Sequence, residues 1–267
     1  DFGVVPLHII VGENDYIDDD KIDLTAMQEN LSSYKGKTST SSPSPHEWEN
    51  AFGDADVVFC ITITSSLSGT YNSAVIAKDI YEHNHTGRKV YVLDSLSTGP
   101  EIALFIEKIA ELIKAGFAPD DIYKTLLEYK DKTHLYFSLA SLNNFAKNGR
   151  ISPVIAAGIG LLGVRVVGKA SDEGTLLPLD KCRGEKRALK KLIDHLKECG
   201  YTDGKIIIAH NNNEAGALEL KKLIENTFGI FNGTIQKTRA LCSYYAEPGS
   251  LLIGFEASLC NHKPYKD

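Results

Sequence analysis

The sequence predicts an α/β protein of two domains, a parallel-sheet α/β domain over residues 1–134 and an α+β domain with a mixed sheet over residues 135–267. Three observations carry this. Two strand-loop-helix units follow one another about 30 residues apart, VVFCITIT with SSLSG and then KVYVLD with SLSTGP, the sequence form of a parallel sheet. From Leu135 the texture changes to adjacent strand-like runs, VRVVGKA and TLLPLDKC, around the turn SDEG, as in a β-hairpin. The length of 267 residues is also more than one core usually serves.

Taken in order, the apolar run Val4 to Val11 reads as a strand, Glu13 to Asp20 as an acidic loop, and Thr25 to Ser33 as a helix. In KTSTSSPSP, six of the seven residues from Thr38 to Ser44 carry hydroxyls, a composition that reads as a solvated loop. HEWENAF is a short helix leading into the buried-type strand Val57 to Thr64, and the next helix opens near Thr70. KVYVLD ends at Asp94, a helix runs from about Glu101 to Ala115, and another follows Pro119 over Asp120 to Tyr129. In the second half LYFSLA is a strand and SLNNFAKNGR a short helix. The helix from Gly184 to Cys199 carries Leu189, Leu192, Ile193 and Leu196 at helical spacing. KIIIAH is a strand, Glu214 to Asn226 a helix, and TIQKTR and LLIGFE are closing strands.

Composition narrows the function. With 29 Lys plus Arg against 35 Asp plus Glu, a net charge of −6 and no long basic cluster, the chain offers no footprint for a phosphate backbone, so nucleic acid is not expected as a partner. The longest uncharged stretch, Ile151 to Val164, has 14 residues broken by proline and glycines, whereas a spanning helix needs about 20. Five cysteines, none within four residues of another, spell neither a disulfide scaffold nor a CxxC zinc site, and reduced thiols in a cytoplasm are the expectation.

Two pattern matches fail their context tests. Gly158, Gly160 and Gly163 spell GxGxxG but open the β-branched run VRVVG instead of a helix. Gly163 to Lys169 fits GxxxxGK but ends in Ala170, without the hydroxyl that holds magnesium. No GxSxG elbow or HExxH helix occurs, and Asp18 to Asp20 lack the glycine and glutamate of a calcium loop. No metal or other cofactor is expected. What remains is hydroxyl chemistry. Thr64, Ser65, Ser66, Ser68 and Thr70 lie between the carboxyl end of a parallel strand and a helix N-terminus, where open α/β sheets bind ligands and backbone N–H groups favour an anion. Helix capping accounts for one or two of these five hydroxyls. A neutral cradle of this kind suits a carboxylate held by hydrogen bonds.

These segments resemble the DegV family of bacterial fatty-acid-binding proteins. The chain carries TSSPSP at Thr40 to Pro45, SSLSGTYNSA at Ser65 to Ala74, VLDS at Val92 to Ser95, NGRIS at Asn148 to Ser152 and KCRGEKRAL at Lys181 to Leu189, in the family's order. The resemblance implies a long-chain fatty acid in a tunnel between two domains, presented to a fatty acid kinase for acyl-phosphate formation and phospholipid synthesis, with transient contact at a membrane surface. It places the carboxylate on Thr40 and Ser65, with Ser66 beside them, and Arg150 near the pocket mouth as a cation. Where the family has a histidine before a C-terminal GPG turn, this chain has Tyr245 beside Tyr244; a phenol donates a hydrogen bond but stays neutral at pH 7. The family's basic IKP segment is Val164-Arg165-Val166, which keeps the cation and loses the proline. The resemblance also implies a first strand and TDS turn ahead of DFGVVPLHII, so the 267 residues read as about nine-tenths of a family member. The rival reading is an enzyme, a small-molecule phosphotransferase or phosphate-binding protein related to dihydroxyacetone kinase, for which the chain supplies no phosphate loop.

Overall fold

The computed structural model describes residues 1–152 and 163–257. Gly158, Gly160 and Cys260 lie outside the described residues.

Three short strands, β1 (His8–Val11), β2 (Asn14–Ile17) and β3 (Thr38–Ser41), form an antiparallel sheet in the order β2-β1-β3. Two of these are departures from the sequence reading. The acidic stretch after Val11 holds β2 because Gly12, at φ 64°, turns the chain within two residues and pairs Val11 with Asn14. The hydroxyl-rich stretch holds β3, paired with β1 through Ile9 and Thr40. Thr38 and Thr40 are β-branched and alternate, so both hydroxyls emerge on one face of the strand, where they meet the phenols of Tyr244 and Tyr245.

Helix α1 (Leu24–Ser33) is capped by the Asp23 side chain, and α2 (Pro45–Phe52) by a reciprocal Ser44–Glu47 capping box. The expected parallel pair follows as β4 (Val57–Thr62) and β5 (Lys89–Asp94), with α3 (Thr70–Asn84) between them. Helices α4 (Pro100–Lys114) and α5 (Pro119–Lys130) complete this part. Its core clusters around Trp48, Phe52 and Tyr81.

The largest sheet has six strands in the order β10-β9-β11-β6-β7-β8. These are β6 (Thr133–Leu139), β7 (Val164–Ala170), β8 (Leu176–Arg183), β9 (Ile206–His210), β10 (Gly233–Lys237) and β11 (Leu251–Glu256). Only β9 and β10 run parallel; the other pairings are antiparallel, so the sheet is mixed as expected. Helices α7 (Glu185–Glu198) and α8 (Glu214–Phe228) bury their apolar stripes, including Leu189, Leu192, Leu220 and Ile224, against it. The short α6 (Asn143–Lys147) precedes the NGRIS segment.

Helix α9 (Ala240–Ala246) has no counterpart in the sequence reading, having too few residues to display a period. A distant carboxylate fixes it. Asp18, in the stretch that reads as an acidic loop, is buried and accepts from the backbone N–H groups of Ala240 at 3.0 Å and Leu241 at 3.1 Å. The two halves share cores elsewhere as well. Leu93, Leu104 and Phe105 pack with Ile207, and Ile9, Val11 and Met27 pack with Ala240 and Tyr244. Helix α4 lies so close on the large sheet that a Cβ at Gly254 would stand 2.4 Å from the Glu101 nitrogen. Cys60, Cys182 and Cys242 are free thiols, whereas Cys199 is disulfide-bonded, which departs from the expectation of uniformly reduced cysteines.

Candidate functional site

A narrow cavity of about 100 Å³ lies where the two halves meet. One wall is β6, whose alternate residues Leu135, Phe137 and Leu139 all face it; four residues of strand at about 3.3 Å each extend it over roughly 13 Å. Leu252 of β11 lies in the same wall, and α9 supplies Leu241, Cys242, Tyr245 and Ala246. The first half closes the other side with Leu7, Ile63, Leu67 and Leu96. Such walls favour an apolar chain.

Polar groups also line the cavity. The Tyr245 ring packs tilted against Phe145 with 4.8 Å between centroids, and its hydroxyl is 2.8 Å from Thr40 Oγ1. Burial raises the pKa of this phenol, against a smaller opposing influence from the Thr40 hydrogen bond and the Arg150 charge, so it remains a neutral donor at pH 7. Ser42 and Ser68 also line the cavity, their hydroxyls 3.0 Å apart, and Ser68 is 2.7 Å from the Thr70 hydroxyl at the first residue of α3. A set of hydroxyls beside a helix N-terminus can turn its protons toward one anionic oxygen group.

Of the residues to which the resemblance gives a role, Thr40, Tyr245 and Arg150 line the cavity, and of the five loop hydroxyls Thr64 and Ser68 do. Arg150 is exposed and also donates to the Asn148 carbonyl at 2.8 Å, capping α6. The structure does not bring Ser65, Ser66 or Arg165 into the wall. The serines miss it for a local reason. Leu67 and Ser68 donate backbone bonds back to the Thr64 carbonyl, making a helical turn in which positions 64, 67 and 68 share the inner face and 65 and 66 the outer. Both serines are exposed; Ser65 donates its N–H to the Asp94 carboxylate, and Ser66 donates its hydroxyl to the Glu173 carbonyl at 2.5 Å. Arg165 is engaged with Glu185 at 3.0 Å and the Gly249 carbonyl at 2.6 Å.

Ser42, Ser97, Thr98, Thr175 and Cys242 complete the polar lining that the sequence reading had not singled out. The first lies in the TSSPSP segment and the next two in SLSTGP, where hydroxyl composition is a usable signal; Thr175 and Cys242 carry none. Among the described residues no group of His, Cys, Asp and Glu is placed to hold a metal ion, and no helix is long and apolar enough to cross a membrane.

An apolar slot lined also by neutral donors, in an α/β frame with a mixed sheet, fits a protein that holds an amphiphile. The chain belongs to the DegV family, whose model, described as "Uncharacterised protein, DegV family", matches residues 1–258. It is 41% identical over 255 residues to a DegV domain-containing protein of Streptococcus pneumoniae, covering 96% of this chain and 91% of the relative. Among solved structures, a DegV family protein from Eubacterium eligens loaded with heptadecanoic acid is 40% identical with a TM-score of 0.93, covering 95% of this chain and 92% of that one. The Fatty Acid Kinase B3 protein of Streptococcus pneumoniae loaded with linoleic acid is likewise 40% identical with a TM-score of 0.93, covering 95% and 90%.

Proposed function

We propose that the chain binds a long-chain fatty acid and presents its carboxylate to a separate fatty acid kinase, which forms the acyl-phosphate. The observation that carries this is the cavity itself, apolar along β6 and lined also by the Thr40–Tyr245 hydroxyl pair. The fatty acids in the two similar structures are ligands of the same chemistry. Thr40 and Tyr245 hold the carboxylate, joined by Ser42 and Ser68 in place of Ser65 and Ser66. Arg150 adds a cation at the mouth; Arg165, tied to Glu185, is too engaged to do so. Each methylene removed from water contributes about 0.8 kcal/mol, so an acyl tail of ordinary length binds tightly through its chain and is oriented by its head.

In this reading the chain divides at residues 134 and 135 into two domains that close on the ligand, and it works in the cytoplasm with transient membrane contact for loading. It is a substrate-presenting subunit and not an enzyme. Palmitate-loaded protein mixed with a bacterial fatty acid kinase and ATP gives hydroxylamine-trappable acyl-phosphate, and neither component alone does. ATP turnover by the isolated chain would instead support the phosphotransferase reading.

A further inference from the structure

The turn joining β7 and β8 is stiff in itself and is held at its tip by the first half of the chain. Ser171 and Gly174 close the turn with backbone bonds of 2.8 Å, to Thr175 and from Gly174 to Ser171, and the Ser171 and Thr175 hydroxyls meet at 2.8 Å. The tip then docks across the domain boundary. Thr64 Oγ1 donates to the Gly174 carbonyl at 2.8 Å, and Ser66 Oγ to the Glu173 carbonyl at 2.5 Å. The fit leaves no slack: a Cβ at Gly174 would stand 2.2 Å from Thr64 Oγ1 and 3.0 Å from the Leu96 Cα. Gly174 has φ 75°, and Leu96 opposite it holds φ 53°, a left-handed conformation that leucine adopts only under constraint.

This hairpin is also a wall of the cavity, through Ala170, Gly174, Thr175 and Leu176. Its attachment to the sheet stops short of the tip, since β7 pairs with β6 only from Val166 to Lys169. Within that stretch the β7–β8 register shifts between Val167 and Gly168, and Gly168 faces Pro178, which has no N–H to donate. A glycine and a proline at a bulge make a natural bending point behind an overhanging tip.

We infer that the β7–β8 hairpin is a gate over the cavity and that Ser66 is its latch, a positioning residue that sets how fast the ligand exchanges. This rests on the fatty-acid reading above and gives the exposed Ser66 hydroxyl a task other than the carboxylate. Ser66→Ala removes one neutral hydrogen bond from the closed state, so opening becomes about fivefold more frequent. Palmitate release to serum albumin and palmitate uptake both quicken by about that factor, and the equilibrium affinity stays within about twofold while the closed state still predominates. A carboxylate contact at Ser66 would instead weaken affinity without speeding uptake. The double variant Ser66→Cys, Glu173→Cys, once oxidised, neither loads nor releases palmitate, and reduction restores both. Exchange at the wild-type rate in the oxidised protein, or unchanged rates in Ser66→Ala, would overturn the latch. Hydrogen exchange at residues 171–175 reads the latch without ligand, so a protein that binds no palmitate yet frees this tip in Ser66→Ala refutes the fatty-acid reading alone.

Discussion

Replacing Tyr245 with Phe removes one oxygen and keeps the ring. The ring contact with Phe145 at 4.8 Å survives, while Thr40 loses the partner 2.8 Å away. Loss of one neutral, partly buried hydrogen bond costs the unliganded fold about 1 kcal/mol. The effect on the ligand is larger because the lost donor faces a charge. Hydrogen bonds to ionised groups are worth about 1.5–3 kcal/mol, so the dissociation constant of palmitate rises by about tenfold to a hundredfold. Competition against a fluorescent fatty acid at pH 7.5 measures it. Because burial raises the phenol's pKa, wild type retains this donor at that pH. Thr40→Val shows a comparable loss, and the double variant falls short of the summed losses because the two hydroxyls act on one carboxylate. Affinity within about twofold of wild type in Tyr245→Phe would refute the role given to this pair.

Two further outcomes follow from the buried carboxylates. Burial raises the Glu101 carboxyl to about 7 from 4.5, against smaller opposing contributions from the Ser97 and Thr133 hydroxyls and the Lys130 charge. Between those values the folded chain holds a proton that the unfolded chain has lost, so stability falls as pH rises from about 4.5 to about 7, by about 3 kcal/mol in all, and levels off above. Denaturant melts of Glu101→Gln across this range show the slope reduced by this amount and a protein more stable than wild type at pH 8. Asp18→Ala strips the two backbone bonds that fix α9, costing about 1–2 kcal/mol in thermal or denaturant melts. It also weakens palmitate binding, because α9 carries Tyr245 and Cys242 into the cavity wall.

What the sequence made legible was whatever repeats over a few residues. The parallel pair β4 and β5, the stripe Leu189, Leu192, Ile193 and Leu196, and the hairpin around Gly174 all rest on local periods or turn residues, and they formed as expected. What it hid depends on partners far along the chain. Strand β3 is polar throughout and reads as loop until β1 and the two tyrosines, some 200 positions away, are set beside it. Helix α9 owes its start to Asp18, more than 200 residues upstream. The same applies within the site. Composition marked the run from Thr64 to Thr70 as a ligand loop, but only the turn closed on the Thr64 carbonyl decides that Ser68 faces inward and Ser65 and Ser66 outward. Arg150 and Arg165 are alike in sequence; Glu185 and the Gly249 carbonyl take one of them out of play.

On the proposed reading the cavity along β6 takes an acyl chain whose carboxylate meets Thr40 and Tyr245. Native mass spectrometry of the protein purified from a bacterial host, followed by solvent extraction and identification of what is released, tests it most directly. A stoichiometric long-chain fatty acid is expected in the wild type, and much less of it in the Thr40→Val, Tyr245→Phe double variant. A wild-type protein that yields a clean unliganded mass and takes up no palmitate when it is supplied would contradict it.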